Sequence, residues 1–210
     1  MEEHKNDAPT TTPKPAALAS GIRVTRKVLK NWEKQAAKTG NKTRQIDAFV
    51  SLAECYSRGI CVEQNDVKAA MYYRRAAMLG DALAQHNLCV SYNEGIGVEK
   101  NAEIAAMWCG KAAKQGYAKA QYNFGCCFDN GKGVEQSYET AAYWYSKAAA
   151  QCYAAAQYNF GCCFDNGKGV EQSYETAAYW YSKAAAQCYA AAQYNFGCCF
   201  DNGKGVEQSY

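Results

Sequence analysis

Two adjacent cysteines between a glycine and a phenylalanine, GCCF, occur three times, at Cys126–Cys127, Cys162–Cys163 and Cys198–Cys199. Thiols at so regular an interval could hold zinc, exchange disulfides or act as nucleophiles. Neighbouring residues of a helix stand about 100° apart, so the two thiols of one pair cannot converge on a single ion. Zinc takes four ligands around one point, usually from CxxC-type spacings. Equivalent cysteines in stacked helical units lie about 8–10 Å apart or more, beyond the roughly 7 Å between Cα atoms that a disulfide bridges. Cys127 therefore reads as small buried filler, the usual place of a free cysteine. No metal ligand set and no cofactor are expected.

Other chemistry is sparse. The chain has two histidines, His4 and His86. A Cys–His pair of His86 with Cys89 or Cys55 lacks a third group to orient the base, so no catalytic residue is expected. Gly131–Gly133, GKG, lacks the GxxxxGK[ST] pattern of a phosphate loop and reads as a turn between helices. Tyr143, Trp144 and Tyr145 read as packing at core and inter-repeat positions, not as a platform for bases.

The elements that carry these residues are copies of one unit. Residues 117–152 and 153–188 differ only at Lys119 against Ala155, and residues 189–210 repeat the first part of the same unit. The same frame fits residues 81–116 and 45–80, giving four full units and a shortened fifth. Repetition at this period is the mark of a stacked array. Ala120, Phe124, Cys127 and Phe128 recur at i, i+4, i+7 and i+8, one apolar face of a first helix. Gly131 and Gly133 end it and accept positive φ. Ser137, like Asn101 and Asn65, then caps a second helix. Ala141, Ala142, Tyr145, Ala148 and Ala149 are the inner face of that helix. Gly125, in the middle of the first helix, costs roughly 1 kcal/mol of helix propensity and points to close packing. The fold class is all-α, a right-handed α-solenoid of helix-turn-helix repeats of 36 residues.

Ala118, Ala120, Gln121, Tyr122, Gly125, Gly131, Gly133, Val134, Lys147, Ala148 and Ala149 together resemble the Sel-one-like repeat family, relatives of the tetratricopeptide repeats. The resemblance covers residues 45–210 and implies a solenoid that binds other proteins. The family usually closes a unit with glycine, as Gly80 and Gly116 do, but Cys152 and Cys188 stand there in the copied units. A strained or differently shaped turn is predicted at both. The secreted cysteine-rich branch of the family bridges its helices with a cysteine just before the final turn, where this chain has Ala149 and its neighbours, so that pairing is not reproduced. The resemblance also brings an alternative, a hydrolase acting on peptidoglycan or β-lactams; a thiol- or metal-binding protein is another.

Charge divides the chain. Residues 1–44 carry ten Lys and Arg against four Asp and Glu, a net of +6, on a body of net −3. Only the arm could seek anions, and nucleic acid is not an expected partner. Residues 1–20 read as a disordered tail. Residues 21–44 read as a basic amphipathic capping helix and linker, with Val24, Val28, Trp32 and Ala36 as its apolar stripe, Leu29 beside it, and Phe49 and Leu52 beneath. No apolar core follows a basic start, so no signal peptide is recognised, and no run is long enough to cross a membrane. Free thiols in a reducing, cytoplasmic compartment are the expectation. The last residues enter a second helix capped by Ser209. The chain therefore reads as a fragment of a longer array, with Phe196 and Phe200 uncovered and self-association open to that end.

With Ala120, Phe124 and Phe128 inward, Tyr122, Cys126 and Asp129 form the opposing stripe. Copying turns this into two rows, Tyr122, Tyr158, Tyr194 and Asp129, Asp165, Asp201. They are the expected partner-binding residues, lining a concave groove suited to a basic, extended protein segment. The rows read equally as packing between repeats. The function expected is a non-enzymatic scaffold or adaptor.

Overall fold

A computed structural model describes residues 24–38 and 40–206. The tail read over residues 1–20 and the cap at Ser209 lie outside them. Among the described residues there are ten helices and no strand. The chain divides into two compact units, Met1–Leu79 and Gly80–Tyr210.

The first unit holds α1 (Arg26–Ala37), α2 (Lys42–Arg58) and α3 (Asp66–Met78). Thr25 caps α1, its hydroxyl accepting from the Val28 amide at 3.3 Å. Leu29, Trp32 and Ala36 form the buried stripe of α1, while Val24 and Val28 are only half-buried. The three- and four-residue steps from Leu29 turn the inward face one position away from the stripe expected. Helix α1 packs on α2, where Gln45 Nε2 donates to the Ala36 carbonyl at 3.1 Å. Helix α2 begins at Lys42, capped by Asn41, so it starts inside the segment read as linker. It forms a hairpin with α3, whose inner face is Ala69, Ala70, Tyr73, Ala76 and Ala77.

The second unit holds α4 (Ala82–Glu94), α5 (Ala102–Lys114), α6 (Ala118–Asn130), α7 (Tyr138–Ala150), α8 (Ala154–Asn166), α9 (Tyr174–Ala185) and α10 (Ala190–Asp201). Helices α4 and α5, α6 and α7, and α8 and α9 are hairpins, and α5 packs on α6, α7 on α8, α9 on α10. Ser137, Asn101 and Asn65 cap second helices as read, accepting from the amides of Thr140, Ile104 and Lys68 at 3.2, 2.8 and 2.9 Å. Gly131, with φ of 64°, is the left-handed cap of α6.

Three devices fit one helix to the next. Gly125 leaves room for the Tyr145 ring, which a Cβ would strike at 2.7 Å; Gly161 does the same for Tyr181. Buried Gln121 and Gln157 reach back to the preceding second helix, donating to the carbonyls of Ala113 and Ala149 at 3.2 Å. The turn glycines Gly133, Gly169 and Gly205 lie against the carbonyls of Ala102, Tyr138 and Tyr174, with no space for a side chain. Within the second unit, successive hairpins are thus keyed to one another.

At Cys152 and Cys188 the turn keeps the shape that glycine gives. Their φ values are 60° and 61°, in the left-handed region also occupied by Gly80 and Gly116. The bonds are shared as well: Tyr153 N donates to the Ala148 carbonyl at 3.2 Å, as Tyr117 N does to that of Ala112 at 3.3 Å. The expected difference is therefore backbone strain without a change of geometry, because the stacking fixes where the next helix starts.

Candidate functional site

The Tyr122, Cys126, Asp129 stripe does not stand clear of the core. It wraps the Tyr145 ring of its own hairpin, which is 1% exposed. The Tyr122 ring lies 5.9 Å from that of Tyr145 and 5.4 Å from Tyr153 at the start of the next repeat. Tyr158 stands likewise, 5.8 Å from Tyr181 and 5.4 Å from Tyr189. Both are half-buried, and burial pushes the Tyr158 hydroxyl up to about 12. Tyr194 is 74% exposed. The helical phase explains the enclosure. Tyr122, Cys126 and Asp129 flank Gly125, the point at which α7 crosses α6, so a stripe opposite the Phe124 face still meets a helix.

The carboxylates remain nearer solvent. Asp129 and Asp165 are half-exposed and Asp201 is exposed. The Tyr145 hydroxyl donates to Asp129 Oδ2 at 3.2 Å, and Tyr181 to Asp165 Oδ2 at 3.3 Å. Two successive repeats thus fix their carboxylates by the same phenol at the same point of the first helix.

All twelve cysteines are free thiols. The paired cysteines diverge as the 100° step requires. Cys126 accepts from the Tyr145 hydroxyl at 3.5 Å within its hairpin. Cys127 lines a cleft together with Cys89 of the preceding hairpin, and the Cys109 thiol donates to the Ala120 carbonyl at 3.3 Å. Among the described residues no three His, Cys, Asp or Glu side chains converge so as to hold a metal ion. His86 is buried, its ring 5.2 Å from that of Tyr117, and burial with the nearby Lys119 charge lowers its pKa to about 4. Its Nδ1 and the Tyr117 hydroxyl are both buried without a hydrogen-bond partner.

One row escaped the sequence reading. Tyr145 is buried and Trp144 half-buried, but Tyr143 is 53% exposed and Tyr179 51%, alongside exposed Met107 in the equivalent place. Lys147 and Lys183 lie 5.2 Å over these tyrosine rings. Residues two apart on a helix point about 200° apart, so Tyr143 and Tyr145 could not share a face.

Paired helices keyed hairpin to hairpin define an α-solenoid repeat protein. The profile of the Sel1 repeat matches residues 50–81, 82–117, 118–151, 154–187 and 190–210, and the chain belongs to that family. It is similar to a Sel1 repeat protein from Oxalobacter formigenes, at 30% identity over 87% of this chain and 74% of that one, with a TM-score of 0.75. It is similar also to c5321, a protective antigen of uropathogenic Escherichia coli strains displaying an SLR fold. That identity is 30% over 88% of this chain and 42% of the antigen, with a TM-score of 0.76. Helicobacter pylori cysteine rich protein B shares the fold, at 24% identity over 62% of this chain and 94% of that one, with a TM-score of 0.50. No curated protein matches the sequence. Sel1 repeat proteins are commonly protein-interaction scaffolds. No described helix is long and apolar enough to cross a membrane.

Proposed function

We propose that the chain is a non-enzymatic scaffold that binds a basic, extended protein segment along the first helices α6, α8 and α10. The observation that carries this reading is the acidic row. Asp129, Asp165 and Asp201 occupy one position in three successive repeats, and tyrosine hydroxyls hold the first two in place. Carboxylates repeated at a fixed interval favour a partner with Lys or Arg spaced along an extended backbone, each pair adding a small, screened contribution. Tyr122 and Tyr158 act in this site by setting the register of the helices that present the carboxylates. Tyr194, exposed, is the ring of the row that meets a partner directly.

The test is fluorescence anisotropy with a labelled, extended Lys- and Arg-rich peptide at low and high salt. The triple variant Asp129→Asn, Asp165→Asn, Asp201→Asn is expected to bind about tenfold more weakly at low salt, and the difference to shrink as salt rises. Tyr194→Ala is expected to weaken binding at either salt with an unchanged melting temperature. Equal affinity of the wild type and the triple variant would place the partner on another face.

A further inference from the structure

The first unit carries a dense basic patch. Helix α1 exposes Arg26, Lys27, Lys30 and Lys34, and the turn and start of α2 add exposed Lys38, Lys42 and Arg44. Glu33 is the single carboxylate between residues 24 and 44. Among the described residues, no ion pair engages any of these seven cations. At about 100° per residue, the four on α1 fall within an arc of about 100°. That arc lies away from Leu29, Trp32 and Ala36, which are buried where α1 packs on α2.

Where α1 gives way to α2, the patch deepens into a cleft of about 450 Å³. Lys34, Lys38 and Arg44 line it with Asn31, Gln35 and Asn41, and no carboxylate does. Asn41 Oδ1 accepts from the Arg44 amide at 3.0 Å, which leaves the NH2 group of that side chain to donate. Lys42 and Arg44 also stand in the first turn of α2, which holds no acidic residue. The partial positive charge of a helix N-terminus disfavours cations there. An anion in the cleft relieves this repulsion and the crowding of lysines at once.

We infer that this face docks the chain on an anionic phospholipid surface, with a lipid phosphate in the cleft of Lys34, Lys38 and Arg44. The irregular spacing of the cations favours lipid over a protein partner. It offers no repeat for fixed carboxylates to match, whereas lipids diffuse and gather beneath any arrangement. Five of the seven cations are lysines, point charges without the planar fork of arginine. Trp32 is buried, so no exposed ring stands among them for bases to stack on. Lysines clustered on an amphipathic helix are drawn to an anionic leaflet within about a Debye length. The apolar stripe of α1 is engaged with α2, so the helix adsorbs without inserting and the contact is electrostatic.

The full chain is sedimented with vesicles of phosphatidylcholine alone and of phosphatidylcholine with about one-third phosphatidylserine. It is expected to bind the anionic vesicles only, and to leave them as salt rises. The variant Lys34→Gln, Lys38→Gln, Arg44→Gln is expected to bind those vesicles about tenfold more weakly, with an unchanged melting temperature. Lys34→Arg with Lys38→Arg, which keeps the charge, is expected to bind as the wild type does. Equal binding to both kinds of vesicle would overturn the proposal, as would equal binding by the glutamine variant or a loss in the arginine variant. Release from the anionic vesicles by poly-glutamate or duplex DNA at the same concentration of charge would assign the face to a soluble polyanion and overturn it too.

Discussion

The second repeat and its copied successors share a backbone and differ in what fills the crossing of their two helices. In the copies, Tyr122, Gly125 and Tyr145 bring two rings together above a glycine, and a phenol fastens Asp129. In the second repeat the same places hold His86, Cys89 and Cys109, so both tyrosine rings are replaced by smaller side chains and the glycine by a cysteine. The first solution is a tightly packed joint; the second leaves a cleft of about 250 Å³ beside Cys89 and Cys127. The fold tolerates both because the helix positions are set elsewhere, by the alanine faces and by the turn glycines. Repetition therefore lets a single unit vary its joint while the array keeps its frame.

Three experiments would break or sharpen that comparison. Tyr145→Cys gives a copied repeat the side chain of the second and removes a ring that is 1% exposed. It is expected to cost about 3 kcal/mol in chemical denaturation and to raise the reactivity of Cys163. A loss under about 1 kcal/mol would mean that the copied joint is not tightly packed.

The second concerns His86. Burial lowers its pKa from the ordinary 6.5 to about 4, so the unfolded chain binds a proton that the folded chain refuses. Its contribution is complete above about pH 6.5 and is lost as pH falls towards 4, by up to ~3 kcal/mol. His86→Tyr, which installs the residue of the copies, is expected to flatten stability measured across that window. An unchanged slope would assign the pH dependence to other groups.

The smallest effect is at the closing turn, where the second repeat has Gly116 and the copies have Cys152 and Cys188. Replacing either cysteine by glycine is expected to relieve left-handed strain and raise stability by about 0.5–1 kcal/mol, after the entropic cost of glycine. Thermal melts of the single and double variants read this, and a fall in melting temperature would show that the cysteines are held there by contacts worth more than the strain.

Much of the architecture was legible in the sequence because it repeats. The period, the alanine faces from Ala141 to Ala149, the caps at Ser137, Asn101 and Asn65, and the turn glycines are local signals, and repetition multiplies each one. The surface was harder to read. An amphipathic stripe assumes one wet face, but a first helix in a stacked hairpin is enclosed on several sides, and Tyr122 and Cys126 met Tyr145 instead of water. The cleft beside Cys89 and Cys127 was less legible still, since its walls come from separate helices. Setting the repeats in columns would have shown the signal, because Cys109 stands in the place of Tyr145 and Cys89 in that of Gly125.

The turn glycines also impose a direction. Gly133 rests on Ala102, Gly169 on Tyr138 and Gly205 on Tyr174, always on the hairpin made earlier in the chain. A hairpin leaving the ribosome therefore meets a docking surface that has already been synthesised. Synthesis from the N-terminus thus matches an order in which the pieces can dock.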